Sequence, residues 1–191
     1  MSYTKSVRER FERSFLGEVI EQPVYAVYDF FVQNRRQVDW QSLFTMGLGQ
    51  IHHAPLIRHE HPNFIIEEST VQQNEYLRRD VYLKTDIGEL HEWYLDKWRQ
   101  EYFIKSAEDY RIMIHALDGI RVHLDETAYQ DSERSLGDRG ITLGTIHGLG
   151  NGRTSLMVLQ VDWIGLEKWS YDVALEEPNM MELLDIMNEI K

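Results

Sequence analysis

The run Val-Tyr-Ala-Val-Tyr-Asp-Phe-Phe at 24–31 constrains the fold more than any other stretch of this chain. Its β-branched and aromatic residues, set off by Pro23, suit a strand buried on both faces, as strands of parallel sheets are. Gly-Ile-Thr-Leu-Gly-Thr-Ile at 140–146 reads as a second such strand, and a shorter one is expected at 50–57. Parallel strands need crossover connections, commonly helices. Asp39 can cap one that carries Trp40, Leu43, Phe44 and Leu48. Ser106-Ala-Glu-Asp109 has the form of a capping box and opens another, with Tyr110, Met113, Ile114 and Leu117 on one face. Before the first strand, Val7, Phe11 and Phe15 recur at helical spacing and the pattern stops at Gly17, so a helix over 4–16 is expected to lie across the strands.

The texture changes between the second and third of these strands. Segments 64–72, 76–84 and 89–94 are short, charged and partly alternating, and are separated by Asn74 and by Asp86-Ile87-Gly88. They predict antiparallel hairpins with one wet face, inserted at 62–104. The order of elements therefore predicts an α/β chain forming the N-terminal half of a (β/α)8 TIM barrel, one domain over 1–191 with a hairpin insert. A whole barrel of this kind takes about 250 residues, and segment 178–191 reads as an amphipathic helix with no strand after it. The expectation is an unclosed half barrel, incomplete alone.

Charge excludes some partners. With 20 Lys+Arg against 32 Asp+Glu, a formal net charge of -12, the chain repels phosphate backbones and anionic membranes. Arg8, Arg10 and Arg13 alternate with Glu9 and Glu12, the pattern of a solvated helix face. The absence of cysteine excludes disulfides, thiolate nucleophiles and thiolate metal ligands. With no apolar signal core at the N-terminus and no run of about 18 apolar residues, a cytoplasmic protein is expected.

In a barrel the chemistry gathers at the carboxyl ends of the strands. That rule points to Asp29 and His147 as catalytic residues, and to Tyr28, His53 and Arg58 as substrate-binding residues. Asp29 ends an apolar run, so burial is expected to raise its pKa and make it a base or a site for a cationic group; its alternative role is that of a hydrogen-bonded structural carboxylate. His52 and His53 are adjacent, so at most one is expected to face the site. His59-Glu60-His61 can converge on a metal ion if extended, or can be a solvated loop, which is the reading adopted; no metal ligand is assigned. The turn His147-Gly-Leu-Gly-Asn-Gly152 lacks the lysine of a phosphate-binding loop and is expected to join a strand to a helix.

Three segments carry a resemblance in their order along the chain. They are Arg8-Glu-Arg-Phe-Glu-Arg-Ser-Phe-Leu-Gly-Glu18 before Gln22-Pro-Val-Tyr25, then Trp98-Arg-Gln-Glu-Tyr-Phe-Ile-Lys-Ser-Ala-Glu-Asp-Tyr-Arg111, and Gly165-Leu-Glu-Lys-Trp-Ser-Tyr-Asp-Val-Ala-Leu-Glu-Glu-Pro178. Together they resemble the N-terminal half of the uroporphyrinogen decarboxylase-like superfamily, and within it the corrinoid-linked methyltransferase branch. The resemblance implies a share in a substrate pocket for methyl transfer, a corrinoid carried by a partner protein, and a zinc site of histidine and cysteines in a half this sequence does not include. A tetrapyrrole decarboxylase is the weaker implication, because Tyr28-Asp29-Phe30-Phe31 stands where those enzymes place an arginine-rich glycine motif, and Arg35-Arg36 comes only later. The competing readings are a non-catalytic half barrel that pairs with its own copy or with a C-terminal-half partner and binds a small ligand, and a metal-dependent hydrolase using the histidines at 52–61.

Overall fold

The computed structural model describes residues 5–35, 37–146 and 153–190. In chain order the elements begin with α1 (Val7–Phe15), β1 (Ala26–Tyr28), α2 (Asp29–Asn34), α3 (Trp40–Thr45), β2 (Gly49–Pro55) and β3 (Ile57–Glu60). Then come β4 (Ile65–Gln73), β5 (Tyr76–Lys84), β6 (Glu89–Leu95), β7 (Trp98–Glu101), α4 (Ala107–Leu117) and β8 (Arg121–Leu124). The last are α5 (Thr127–Leu136), a 3-10 turn, β9 (Gly140–Thr145), α6 (Ser155–Val158), a π-helical segment (Leu159–Ile164), α7 (Leu166–Ala174) and α8 (Pro178–Glu189).

These elements do not alternate as strand and helix, and the expected half barrel is not what forms. The fold is mixed α/β with three small sheets: a parallel one in the order β1-β2-β9, the pair β3-β8, and an antiparallel one in the order β4-β5-β6-β7 that dominates. The reason lies in where α4 packs. It carries the apolar face expected of a crossover helix, yet buries Tyr110, Met113, Ala116 and Leu117 in one core with Val81, Leu83 and Leu90 of the antiparallel sheet. The hairpins are therefore half of a core in their own right, and α4 belongs to that core.

By its contacts the chain divides into two compact units, Met1–Arg58 with Leu124–Ile146, and His59–His123 with His147–Lys191. In the first, β2 is the central strand of the parallel sheet, pairing with β1 from Ala26↔Gly49 to Tyr28↔Ile51 and with β9 from Gln50↔Gly140 to Pro55↔Thr145. Helix α1 is capped by Ser6 and lays Val7 and Phe11 on Gly49, where a Cβ would collide with both side chains. Among the described residues of this unit the buried apolar ones are Phe11, Ala54, Leu136 and Ile141, against four buried polar ones, Arg10, Asp29, Ser132 and Thr142. A core this polar holds together only if its hydrogen bonds are satisfied.

The second unit is conventional by comparison. Leu90, Ile104, Tyr110, Met113, Leu159 and Leu183 are almost wholly buried. The capping box of α4 forms as the sequence predicts: Ser106 Oγ accepts from Asp109 N–H (3.3 Å) and Asp109 Oδ2 accepts from Ser106 N–H (2.8 Å). Buried Tyr110 donates to Asp172 Oδ2 at 2.5 Å, and Lys168 closes on the same carboxylate at 2.8 Å. No helix among the described residues is long and apolar enough to cross a membrane.

Candidate functional site

The apolar run at 24–31 extends for only three residues as a strand before the chain turns into α2. Asp29 opens α2, and its Oδ1 accepts the N–H of Phe30 at 2.8 Å. Where β1 stops, β2 continues past it, and the Asp29 carboxylate takes over the acceptor that β1 no longer supplies. His53 N–H donates to Asp29 Oδ2 at 3.2 Å.

Because the carboxylate sits beside the backbone of β2, both neighbouring imidazoles reach it although their side chains leave the strand on opposite faces. His52 Nε2 lies 3.2 Å from Oδ2, and His53 Nδ1 lies 3.5 Å from Oδ1. Burial pushes the Asp29 carboxyl up, but the two backbone N–H groups and the two histidines outweigh it and hold the carboxyl below its ordinary range. The expected rise of this pKa through burial is thereby corrected: the carboxyl is held below its ordinary range, not above it.

The two histidines then differ in role. His52 shares a face of the sheet with Thr142, its register partner on β9, and α5 covers that face. Its Nδ1 is 2.6 Å from Ser132 Oγ, which is 2.9 Å from Thr142 Oγ1. A carboxylate can only accept, so the nitrogen facing it carries the hydrogen. We assign His52 the tautomer with hydrogen on Nε2, in which Ser132 Oγ–H donates to Nδ1 and Thr142 Oγ1–H donates to Ser132. The Thr142 N–H in turn donates to Glu133 at 3.1 Å, whose carboxyl burial raises but Thr142 and Arg8 hold below the ordinary range.

His53 points to the other face, with its side chain 41% exposed. We assign this ring the tautomer with hydrogen on Nδ1, toward Asp29, which leaves the lone pair on Nε2. Tyr28 stacks on this ring at 5.3 Å, Phe30 on Tyr28 at 6.0 Å, and Phe31 lies 4.1 Å from Phe30. Each of these three aromatics is more than a third exposed, as is Leu143 opposite His53. The result is an open apolar surface around one imidazole nitrogen, at the carboxyl ends of parallel strands where ligands of α/β sheets bind.

Of the residues chosen from sequence, Tyr28, Asp29 and His53 come together here. Arg58 does not: it is exposed on β3, where its charge acts on Asp125. His147 lies outside the described residues. His59 and His61 stack at 6.0 Å, and Glu60 bonds His123 at 3.0 Å. His52, weighed from sequence beside His53, also reaches this carboxylate, whereas Ser132 and Thr142 were not singled out. The signal for Ser132 was its place between Tyr129 and Leu136 on the inward stripe of α5, where a small polar residue needs a partner.

The zinc site implied by the resemblance has no fitting ligand set among the described residues, which include no cysteine and no group of three or more histidine and acidic residues arranged to hold an ion. No protein-family model matches the chain, and no curated protein or solved structure matches it.

Proposed function

We propose that this face of the first unit supplies part of the substrate pocket of a uroporphyrinogen decarboxylase-like methyltransferase, with His53 as its proton-transferring group. The carrying observation is the Asp29 carboxylate, fixed by two backbone N–H groups and aimed at His53 on an open aromatic surface. A buried carboxylate that orients an imidazole is the arrangement by which general acids and bases are held in one tautomer.

The chemistry follows from what methyl transfer requires. When a methyl group leaves an oxygen or nitrogen, the bond breaks, its electron pair stays on the heteroatom, and that atom needs a proton. His53 Nε2 is the atom that gives it, after taking one up from solvent, while Nδ1–H stays on Asp29. Tyr28, Phe30 and Phe31 provide the apolar wall for the body of a small organic substrate. A corrinoid on a partner protein would serve as methyl carrier, as the resemblance implies. The cysteine-free composition suits the cytoplasm.

The test is a titration of the isotopically labelled chain with methoxylated aromatics and with N-methylated amines, followed at the ring signals of Tyr28, Phe30 and His53. Saturable shifts with one class, weakened about tenfold in His53→Gln, are expected; tenfold corresponds to about 1.4 kcal/mol. Ring signals that move with neither class, or equal binding by the variant, would refute the proposal.

A further inference from the structure

The antiparallel sheet of the second unit, in the order β4-β5-β6-β7, ends in two unlike edges. One is β7, four residues long and joined to β6 through a register shift at Trp93/Tyr94. A short strand beside an irregularity is one way proteins keep an edge from pairing with another chain. The other edge, β4, has none of these protections. Its nine residues pair with β5 in unbroken register from Ile65↔Lys84 to Gln73↔Tyr76, and all nine are exposed. The segment Ile-Ile-Glu-Glu-Ser-Thr-Val-Gln-Gln contains no proline, lysine or arginine. In an antiparallel ladder alternate residues turn their N–H and C=O groups away from the partner strand, so β4 offers backbone donors and acceptors along its whole length.

The side chains decide what can take these groups up. Both charges of β4 are held from within the sheet, Glu67 by Lys84 at 2.6 Å and Glu68 by Arg79 at 3.6 Å. An antiparallel copy of β4, related by a two-fold axis at Ser69, pairs all nine residues: Ile65 with Gln73, Ile66 with Gln72, Glu67 with Val71 and Glu68 with Thr70. Each glutamate then faces an uncharged residue. Moving the axis to Glu68 sets that residue against its own copy, and like charges directly opposite are unfavourable. Moving it to Thr70 sets Ile65 and Ile66 against Glu75 and Asn74 of the hairpin turn. The strand is thus complementary to itself in one register.

We propose that β4 is a self-association edge: two copies of this chain join β4 to β4 about a two-fold axis at Ser69, making one eight-stranded antiparallel sheet from two four-stranded ones. The contact is isologous, the same nine residues contributing from each copy. With the short, irregular β7 at the far edge of each copy, the assembly closes at two and does not propagate.

The test uses the full chain, whose lack of cysteine lets single introduced cysteines report the register. Sedimentation equilibrium is expected to show a dimer. Under mild oxidation Ser69→Cys should cross-link to its own copy, because residue 69 faces itself across the axis. Gln73→Cys, opposite Ile65, should not. Val71→Glu faces Arg78 within its own chain, which keeps the fold, but meets Glu67 of the second copy, twice per dimer. It should weaken dimerisation about tenfold. Cross-linking of Gln73→Cys as readily as Ser69→Cys would overturn the proposal, as would an unchanged dimer in Val71→Glu. A chain that stays monomeric would also overturn it, and would leave the edge to an extended segment of another protein.

Discussion

Asp29→Asn is the substitution that separates an organising carboxylate from a merely polar one. Asparagine keeps one acceptor oxygen but places an NH2 group where the second oxygen stood. If the retained oxygen faces Phe30 N–H, the amide hydrogens face His53 N–H and His52 Nε2, donors against donors. The side chain is only 13% exposed, so solvent reaches the gap poorly. One lost hydrogen bond to a charged acceptor amounts to about 1.5–3 kcal/mol, and the first unit should lose about 2–3 kcal/mol. With an m value of about 1 kcal/mol/M in urea, its midpoint falls by roughly 2–3 M. The assay is urea unfolding followed at Trp40, the one tryptophan of that unit, since the others stand at 93, 98, 163 and 169. A loss below about 0.5 kcal/mol, the size of an ordinary surface change, would refute the reasoning.

The same carboxylate predicts a pH dependence. Its folded pKa is depressed, so its stabilisation is present above the unfolded value of about 3.9 and is lost as pH falls through the lower folded value. The stability gap between the native chain and Asp29→Asn should be full at pH 6 and close steadily below about pH 4; a gap that persists undiminished at the acid end would contradict this. Ser132→Ala should leave His52 Nδ1 without its donor and mix the tautomers of that ring, with Ser132→Thr restoring one form, both read by nitrogen chemical shifts. An unmixed ring in the alanine variant would remove Ser132 from the account. In the second unit, Tyr110→Phe deletes the 2.5 Å bond to buried Asp172 while leaving Lys168 in place. It should cost about 1.5–3 kcal/mol in calorimetry, and a neutral result would mean that the lysine alone satisfies the carboxylate.

Local structure was readable wherever local chemistry decides it. The strands at β2 and β9, the hairpins β4 to β6 and the capping box of α4 follow from alternation, turn residues and a Ser/Asp pair. Partner choice was not readable, because it is settled by contacts distant in sequence. The apolar stripe of α4 is the same whether it covers a parallel or an antiparallel sheet, and only the core containing Val81, Leu83 and Leu90 shows which. The barrel expectation failed at that point. Asp29 shows the same division: its place at the end of an apolar run was legible, but the sign of its pKa shift depends on the N–H of His53, supplied by a strand 24 residues on. Ser132 and Thr142 become intelligible only once β9 lies against β2 and α5 covers them.

Asp29 is assigned as the group that fixes two adjacent histidines in opposite tautomers, one locked within the fold and one with its base outward. A long-range proton–nitrogen spectrum of the native chain, recorded where both rings are neutral, tests this directly. Hydrogen is expected on Nε2 of His52 and on Nδ1 of His53. Finding both rings protonated at Nε2 would mean that His53 is not held by Asp29, and the proposed proton-transferring site would fall with it.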